Sequence, residues 1–266
     1  MKRIIIIIIL ILANSLFGLE WFSLPLIDCG LGYVNNTQSI SAQSSLINPA
    51  LNYKDNQFNV SYTPIYTGFD ITEFNFNVAF NIGWINPNIH ILSQQFSKMN
   101  NSFISIDHMI MDTEKMKIGV ALEYNNANIK DYSNYGCLST SVGIVLVPHQ
   151  IFKIGFSYLH FYNYQFNKNE LDLIDPSVLF GISIFPIDDI DLYAAIQKSQ
   201  YLPWAGSVGI KLQHWDLFYY SISYEGFSKI IKGGINFTFK NFNIQESVQW
   251  HLDLGLSHSL SLFYSF

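Results

Sequence analysis

Charged residues are scarce in this 266-residue chain, at 13% of the total, which is about half the share in an ordinary soluble domain. The sequence contains one arginine and two cysteines. Beyond the N-terminus, no apolar run approaches the roughly 18 residues of a membrane helix. These absences exclude a helical membrane protein, make nucleic acid a poor partner and disfavour an ordinary soluble enzyme. Hydrophobic residues, 49% of the chain, are instead spread evenly along it.

Residues 1–18 have the pattern of a secretory signal peptide. Lys2 and Arg3 form a basic head, the apolar stretch 4–12 is too short to span a bilayer, and a small-x-small cleavage site follows at 13–15. We therefore predict export, with an uncleaved anchor helix as the alternative. The exported chain has 12 lysines against 20 acidic residues. Its two cysteines, Cys29 and Cys137, either pair in an oxidising compartment or stay unpaired.

The clearest periodicity in the sequence is two. Between positions 74 and 82 every even residue is large and apolar, and every odd residue is small or polar. The stretches 116–124, 208–212 and 254–266 alternate in the same way. Such alternation predicts β-strands with one apolar and one polar face. A soluble β-sandwich alternates too, so the pattern alone leaves both architectures open.

Fourteen segments follow this pattern, most of them nine to thirteen residues long. They are 58–66, 72–84, 88–96, 102–111, 115–125, 139–147, 151–162, 177–186, 189–198, 205–214, 217–225, 230–240, 242–251 and 254–266. A tilted strand that crosses a bilayer needs about 9–11 residues, against about 5–6 for a globular strand. The lengths favour a membrane barrel, with twelve strands as the alternative count.

The connections between these segments differ at the two ends of the predicted barrel. The inner turns 85–87, 112–114, 148–150, 187–188, 215–216 and 241 have three residues or fewer, whereas the outer loops include the long polar stretches 126–138 and 163–176. Short periplasmic turns and longer outer loops are typical of outer-membrane barrels. The predicted fold class is therefore all-β, a transmembrane antiparallel β-barrel of about fourteen strands.

The C-terminus resembles the assembly signal of bacterial outer-membrane barrels. Phe266 is the last residue, Tyr264 shares its face, and Ser259 occupies the polar position, although Ser261 stands where the signal often has glycine. The resemblance implies that the barrel insertion machinery recognises the chain. It also implies a location among the lipids of the outer membrane of a Gram-negative-type bacterium.

Residues 19–57 do not alternate, and they contain Asn48-Pro49-Ala50 just before the first predicted strand. This segment resembles the N-terminal segment of the long-chain fatty-acid transporters and of the type IX secretion barrels of the PorV/PorQ group, although Leu51 replaces the usual glycine. In those families the segment plugs the lumen. The resemblance implies that 19–57 is a plug, which divides the chain into the signal peptide at 1–18, the plug at 19–57 and the barrel at 58–266. A plain periplasmic tail is the alternative to the plug.

The predicted inward phase is small or polar, and it carries five charged residues. They are Lys117, Glu123, Lys153, Lys211 and Lys232. A barrel of fourteen strands is wider than side chains alone can fill, so a plug must fill the lumen or it conducts water. Pro64, in the first predicted strand, cannot donate to a strand ladder. We predict a strand break there that would give a sideways exit, or a strand that ends at Tyr62.

No set of residues predicts catalysis or metal binding. Asp107 and His108 are neighbours on a strand and point to opposite faces. His258 lies on the lipid-facing phase without a serine nucleophile, and the pair His251 and Asp253 has no third, orienting group. No three or four ligands have the spacing of a metal site. We expect a non-enzymatic protein without cofactors.

Two functions fit these observations. The first is a barrel of the PorV/PorQ type that serves protein secretion or surface attachment, with secretion-system proteins as partners. The alternative is a transporter of hydrophobic small molecules across the outer membrane. The short chain and the charged lumen favour the first, and a filled lumen disfavours a nonspecific pore.

Overall fold

The computed structural model describes residues 31, 34–53, 55–66, 70–82, 85–96, 99–130, 134–166, 175–200, 202–214, 217–226 and 228–266. The predicted signal peptide and Cys29 lie outside the described residues, so both alternatives for Cys29 and the buried Cys137, paired or unpaired, stay open. No helix in the described part of the chain has the length and apolar character needed to cross a membrane.

The chain folds into a closed antiparallel barrel of fourteen strands. They are β1 (Gln57–Pro64), β2 (Thr72–Ala79), β3 (Pro87–Gln95), β4 (Met99–Asp112), β5 (Met116–Ile129), β6 (Asn134–His149), β7 (Phe152–Gln165), β8 (Ser177–Ile187), β9 (Ile190–Ser199), β10 (Ala205–His214), β11 (Phe218–Glu225), β12 (Ile230–Phe239), β13 (Phe242–His251) and β14 (Gly255–Ser265). Each strand pairs with the next, and β14 pairs with β1 to close the barrel. The predicted fold class and the count of fourteen are confirmed.

Polar residues line the inside of the barrel and apolar residues cover its outside. In β2, Asn75 and Asn77 are fully buried, whereas Phe74, on the opposite face, is 48% exposed. A soluble domain buries apolar side chains, and a wall immersed in lipid must expose them. The arrangement is consistent with the expected location in the outer membrane. The end that carries Gln57 and Ser265 is called the periplasmic end.

One side of the wall is taller than the rest. Strands β4–β7 have 14 to 16 residues, whereas the other strands have 8 to 11. The predicted long loop 126–138 is therefore wrong, because β5 and β6 stay paired as far as Asn128 and Asn134. Polar residues suggested a loop there. A hairpin that rises above the lipid needs no apolar outer face, so its ladder continues through polar residues.

The second strand is shorter than predicted. It ends at Ala79 rather than at position 84, and a backbone hydrogen bond from Phe80 to Pro87 and an isolated bridge between Ile82 and Ile85 follow. The alternation placed the end of β2 too late, because it continues in the sequence beyond the last residue of the strand. Ile82 is still 65% exposed although it lies in the turn. Pro87, predicted to lie in the inner turn 85–87, is instead the first residue of β3.

Aromatic side chains join the C-terminus to its neighbours at the periplasmic end. The ring of Tyr264 lies 5.5 Å from Phe58, 4.8 Å from Phe242 and 6.2 Å from Phe266, measured between centroids. The Phe266 N–H donates to the Asn56 carbonyl at 3.0 Å. The last two aromatic residues therefore help to close the barrel between β13, β14 and β1.

Deleting Phe266 is expected to lower the amount of assembled protein in the outer membrane severalfold, because the deletion removes the aromatic terminus and a backbone hydrogen bond at the closing seam. The measurement is heat-modifiable mobility in outer-membrane fractions. The variant Phe266→Trp, which keeps an aromatic terminus, serves as the control and should assemble normally. Normal assembly of the deletion variant would contradict the role given to the terminal residue.

Candidate functional site

Residues 34–53, here called the lumen segment, lie inside the barrel. A 3-10 helix at Ala42–Leu46 contacts β1–β3, and a second one at Pro49–Leu51 contacts β4–β6. Ser41 and Asn48 cap these helices, because their side-chain oxygens accept hydrogen bonds from backbone N–H groups at the helix starts. Such short helices are not stable alone, so the surrounding wall holds them in place.

Four inward glycines let the lumen segment approach the backbone of the wall. They are called the glycine seat and form two cross-strand pairs, Gly119 with Gly143 and Gly155 with Gly181. A Cβ atom at Gly143 would lie 1.8 Å from Asn48 Oδ1, and one at Gly119 would lie 2.1 Å from Pro49 O. Both distances are far below van der Waals contact, so any larger residue must displace the lumen segment.

The second pair of the glycine seat receives Asn36. A Cβ atom at Gly155 would lie 1.8 Å from Asn36 O, and one at Gly181 would lie 2.8 Å from Asn36 Cβ. Sequence reasoning noted that the inward residues are small but missed this use of them. The available signal was glycine at the inward phase of four successive strands, β5 to β8.

The side chain of Asn48 explains why an amide stands at the start of the Asn-Pro-Ala motif. Its Oδ1 accepts from the Ala50 N–H at 3.0 Å. Its Nδ2 donates to carbonyl oxygens of Asn36 at 3.1 Å, Ile144 at 3.3 Å and Phe156 at 3.4 Å. A single amide thus links two turns of the lumen segment to the wall. Pro49 fits the first helical position, where no N–H is needed.

A buried polar junction holds the other helix. Ser45 Oγ lies 2.8 Å from His90 Nε2 and donates to Asp107 Oδ2 at 2.7 Å. His90 Nε2 lies 2.7 Å from the same carboxylate oxygen, and its Nδ1 contacts Asn77. In a catalytic relay the serine and the acid contact opposite ring nitrogens. Here both lie at Nε2 and all three groups are buried, so the junction is a structural clamp.

The five charged residues predicted for the lumen lie on the inward phase of their strands, and three of them have a close partner of opposite charge or an imidazole. Lys211 Nζ is 2.9 Å from Asp191, Lys232 Nζ is 2.7 Å from Glu225, and Glu123 is 2.6 Å from His160. Lys117 and Lys153 lie near the periplasmic end, where Lys153 Nζ sits 4.8 Å above the Phe185 ring. The sequence predicted the phase of these residues but not their partners.

A polar cavity of about 280 Å³ lies at the periplasmic end between the lumen segment and β11–β14. Ile40, Ser41 and Tyr53 line one side, and Asn243 and Gln245 lie among the residues of the wall opposite. Burial, reinforced by the charge of Asp55, raises the pKa of the Tyr53 phenol, which therefore stays protonated. The lumen segment thus leaves an unfilled space beside β11–β14 at this end.

The seam between β1 and β14 is only partly laddered. Backbone pairing ends at Tyr62 and Leu260. Beyond it, Thr63 Oγ1 donates to Ser259 Oγ at 2.8 Å, and the Tyr66 N–H donates to Ser257 Oγ at 2.8 Å. Side chains therefore replace the ladder in the extracellular half of this seam.

Neither alternative predicted for Pro64 is observed: no break interrupts β1 in the middle, and the strand does not end at Tyr62. It is the last residue of the strand and still stands opposite Thr72 of β2. The ladder to β14 stops two residues earlier, at Tyr62. Proline has no N–H to donate. Since β14 is no longer paired with β1 at this position, no hydrogen bond of the ladder is lost there.

The histidine and aspartate pairs considered in the sequence do not form sites. His251 Nδ1 accepts from the backbone N–H groups of Asp253 at 3.0 Å and Leu254 at 3.1 Å, which orders a turn. Asp107 faces the lumen, whereas His108 lies on the outward phase. Within the described residues, no group of three or more His, Cys, Asp or Glu side chains could hold a metal ion.

No protein-family model and no curated protein matches the sequence. Several solved structures share the fold. The toluene transporter TbuX of Ralstonia pickettii has a TM-score of 0.68 at 10% identity, over 95% of this chain and 99% of that one. The toluene transporter TodX of Pseudomonas putida has a TM-score of 0.62 at 11% identity, over 94% and 99%. A FadL homologue of Pseudomonas aeruginosa has a TM-score of 0.65 at 9% identity, over 95% and 100%.

These three proteins are fourteen-stranded outer-membrane barrels of the FadL family. At such low identity, the likeness shows a common fold over nearly the full length of both chains. The structures named above are transporters or their homologues, and none of their names refers to an enzyme or to protein secretion.

Proposed function

We propose that this barrel passes apolar small molecules across the outer membrane and releases them sideways through the extracellular half of the seam between β1 and β14. The observation that carries the proposal is this partly laddered seam in a barrel that also holds a lumen segment. The fold it shares with toluene transporters supports the same function. The predicted role in protein secretion has no comparable support.

The electrostatics of the lumen also favour an uncharged cargo. Lys211, Lys232 and Glu123 each lie within 3 Å of a partner side chain. The charges of Lys211 and Lys232 are largely cancelled by their carboxylate partners, so an anion meets little attraction beyond that of the lysines at the periplasmic end. The lumen segment also occupies the space that a general porin leaves open to water.

The extracellular half of the seam can separate at a small cost. It is bridged by the hydrogen bonds of Thr63 and Tyr66 with two serine hydroxyls, each worth about 1 kcal/mol net. Outside this seam stand Tyr62, which is 53% exposed, and Pro64. A molecule that passes between the strands would therefore meet apolar surface and then lipid.

A disulfide across the seam is expected to abolish most uptake of labelled toluene. The variant is Thr63→Cys with Ser259→Cys, in a background in which Cys29 and Cys137 are serine. The two hydroxyls are 2.8 Å apart, so the cysteines are within disulfide reach. Uptake is measured in a host whose own outer membrane does not take up toluene, before and after oxidation, and reduction should restore it.

The matched control is the cysteine pair at Ser61 and Ser261, which stand opposite each other where the same seam is already laddered. Oxidising that pair should leave uptake unchanged. If the wild-type protein takes up no toluene, the proposed function is wrong. If both disulfides leave uptake intact, the molecule does not leave through this seam.

A further inference from the structure

The inner face of the tall wall carries a histidine in a rare backbone conformation. His160 has a φ of +54°, at a point where Tyr158 and Tyr162 of β7 pair with Val142 and Thr140 of β6. Three residues of β7 thus stand opposite one residue of β6. A positive φ is uncommon for a residue with a Cβ and persists where the surroundings impose it. Bulges of this kind re-aim a side chain.

One nitrogen of the re-aimed imidazole is fixed. His160 Nδ1 lies 2.6 Å from Glu123 Oε2. The same carboxylate accepts from the hydroxyls of Ser139 at 2.8 Å and Ser141 at 2.9 Å, and Ser141 Oγ accepts from the His160 N–H at 2.8 Å. Because the buried carboxylate accepts from Nδ1, the proton sits there and the ring has one orientation.

The second ring nitrogen of His160, Nε2, is not held by the wall. Among the described residues, His160 Nε2 has no hydrogen-bond partner, and the side chain is 22% exposed. Two residues after Glu123, on the same inward face, Asn125 is only 9% exposed and its Oδ1 has no partner in the described part of the chain. A buried polar atom is normally hydrogen-bonded, so the unpartnered Asn125 Oδ1, together with the partly exposed imidazole of His160 on the same inward face, points to a ligand.

An aromatic ring lies next to the Asn125 amide. Phe103 of β4 stands directly opposite Asn125 of β5, on the inward face, and is half-buried. Side chains that are directly opposite have Cβ atoms about 4.5–5.5 Å apart. The inward face of β4–β7 therefore carries a planar apolar ring beside Asn125, and Asn125 follows Glu123, the partner of His160, by two residues.

We propose that Phe103, Asn125 and His160 form a binding site for an apolar molecule that bears a hydroxyl group, in particular a phenol. This inference rests on the proposed function and specifies its cargo. A hydroxyl donates to a neutral Nε2 or to Asn125 Oδ1, and it accepts from Nε2–H if the ring is charged. It therefore fits the site in either protonation state, while the aromatic ring packs on Phe103.

Two other ligand classes fit less well. A hydrocarbon leaves both polar atoms without a partner, and a site built for a hydroxyl discriminates against the analogue that lacks it. A carboxylate would approach the buried charge of Glu123 and the Asn125 Oδ1 acceptor, both of which repel it. A hydroxyl head group meets neither objection.

The test compares p-cresol with toluene, which differ by one hydroxyl. Uptake of each labelled compound is measured at limiting concentration for the wild-type protein, for His160→Phe and for the control His108→Phe, which changes a histidine on the outward face. We expect His160→Phe to lower p-cresol uptake about tenfold, the factor that corresponds to about 1.4 kcal/mol. Toluene uptake should change little, and the control should behave as the wild type.

The possible outcomes separate the two proposals. If the wild-type protein takes up neither compound, the proposed function fails. If it takes up both and His160→Phe changes neither, the phenol site is wrong while the transport proposal stands. Equal losses for both compounds would also overturn the site, because they would mean that His160 only supports the wall.

A spectroscopic measurement tests contact directly. In protein labelled with ¹⁵N at the imidazoles, p-cresol should shift the Nε2 resonance of one histidine, and that resonance should be missing in His160→Phe. Toluene should leave the Nε2 resonance in place. The conservative variant His160→Gln keeps a hydrogen-bonding amide and should restore part of the p-cresol uptake. A p-cresol shift that persists in His160→Phe would place the ligand elsewhere.

Discussion

Replacing Gly143 by leucine is expected to turn a poorly conducting barrel into an open channel, with conductance in planar bilayers that rises roughly tenfold or more because a fourteen-stranded lumen is wide when unfilled. The new Cβ would lie 1.8 Å from Asn48 Oδ1 and 2.9 Å from the Ala50 nitrogen. The wall backbone is held by ladders on both sides of β6, to β5 and to β7. The lumen segment, rather than the wall, must therefore move away from position 143.

The barrel itself should assemble normally in this variant. The substitution leaves every ladder hydrogen bond and every outward side chain unchanged, and these are what a spanning barrel requires. Heat-modifiable mobility should be the same as that of the wild type. The expected gain in conductance therefore reports on the lumen segment alone.

Gly233→Leu is the matched control for the glycine seat. Gly233 lies on the outward phase of β12, where a Cβ would have only the Ser221 carbonyl oxygen within 4 Å, at 3.6 Å. This variant should keep the low conductance of the wild type. If Gly143→Leu assembles and conducts no better than Gly233→Leu, the lumen segment does not close the barrel.

The strands could be predicted from the sequence because alternation is a local property. The stretch 242–251 gives the bounds of β13 without error, and 205–214 gives those of β10. Alternation stops short of the top of the β5–β6 hairpin because the outer face turns polar there. It runs past the end of β2 because Ile82 remains exposed in the turn.

The contacts inside the barrel could not be predicted in the same way. Asp107 was considered with His108, its neighbour in sequence, but its partner is His90 of the adjacent strand. The pairing depends on the register of β3 against β4, which alternation does not fix. The bulge at His160 could not be predicted for the same reason, because a bulge is a shift in the pairing of β7 with β6 and not a feature of β7 alone.

The buried junction should make a large contribution to the stability of the barrel. In His90→Leu, the carboxylate of Asp107 loses its imidazole and keeps only the hydroxyls of Ser45 and Ser105. Removing one member of a buried pair costs about 3–5 kcal/mol. We expect the free energy of unfolding, from urea titrations in lipid vesicles followed by tryptophan fluorescence, to fall by about 3 kcal/mol. His108→Leu, on the outward face, should cause no such loss.

The double variant His90→Leu with Asp107→Leu decides whether the loss comes from an unpaired charge or from disturbed packing. Replacing a whole buried pair by apolar residues is often neutral or stabilising, so the double variant should recover most of the stability lost in His90→Leu. The two substitutions would then be strongly non-additive, as expected for side chains 2.7 Å apart. Additive losses would contradict the clamp, because they would mean that each side chain supports the barrel through different neighbours.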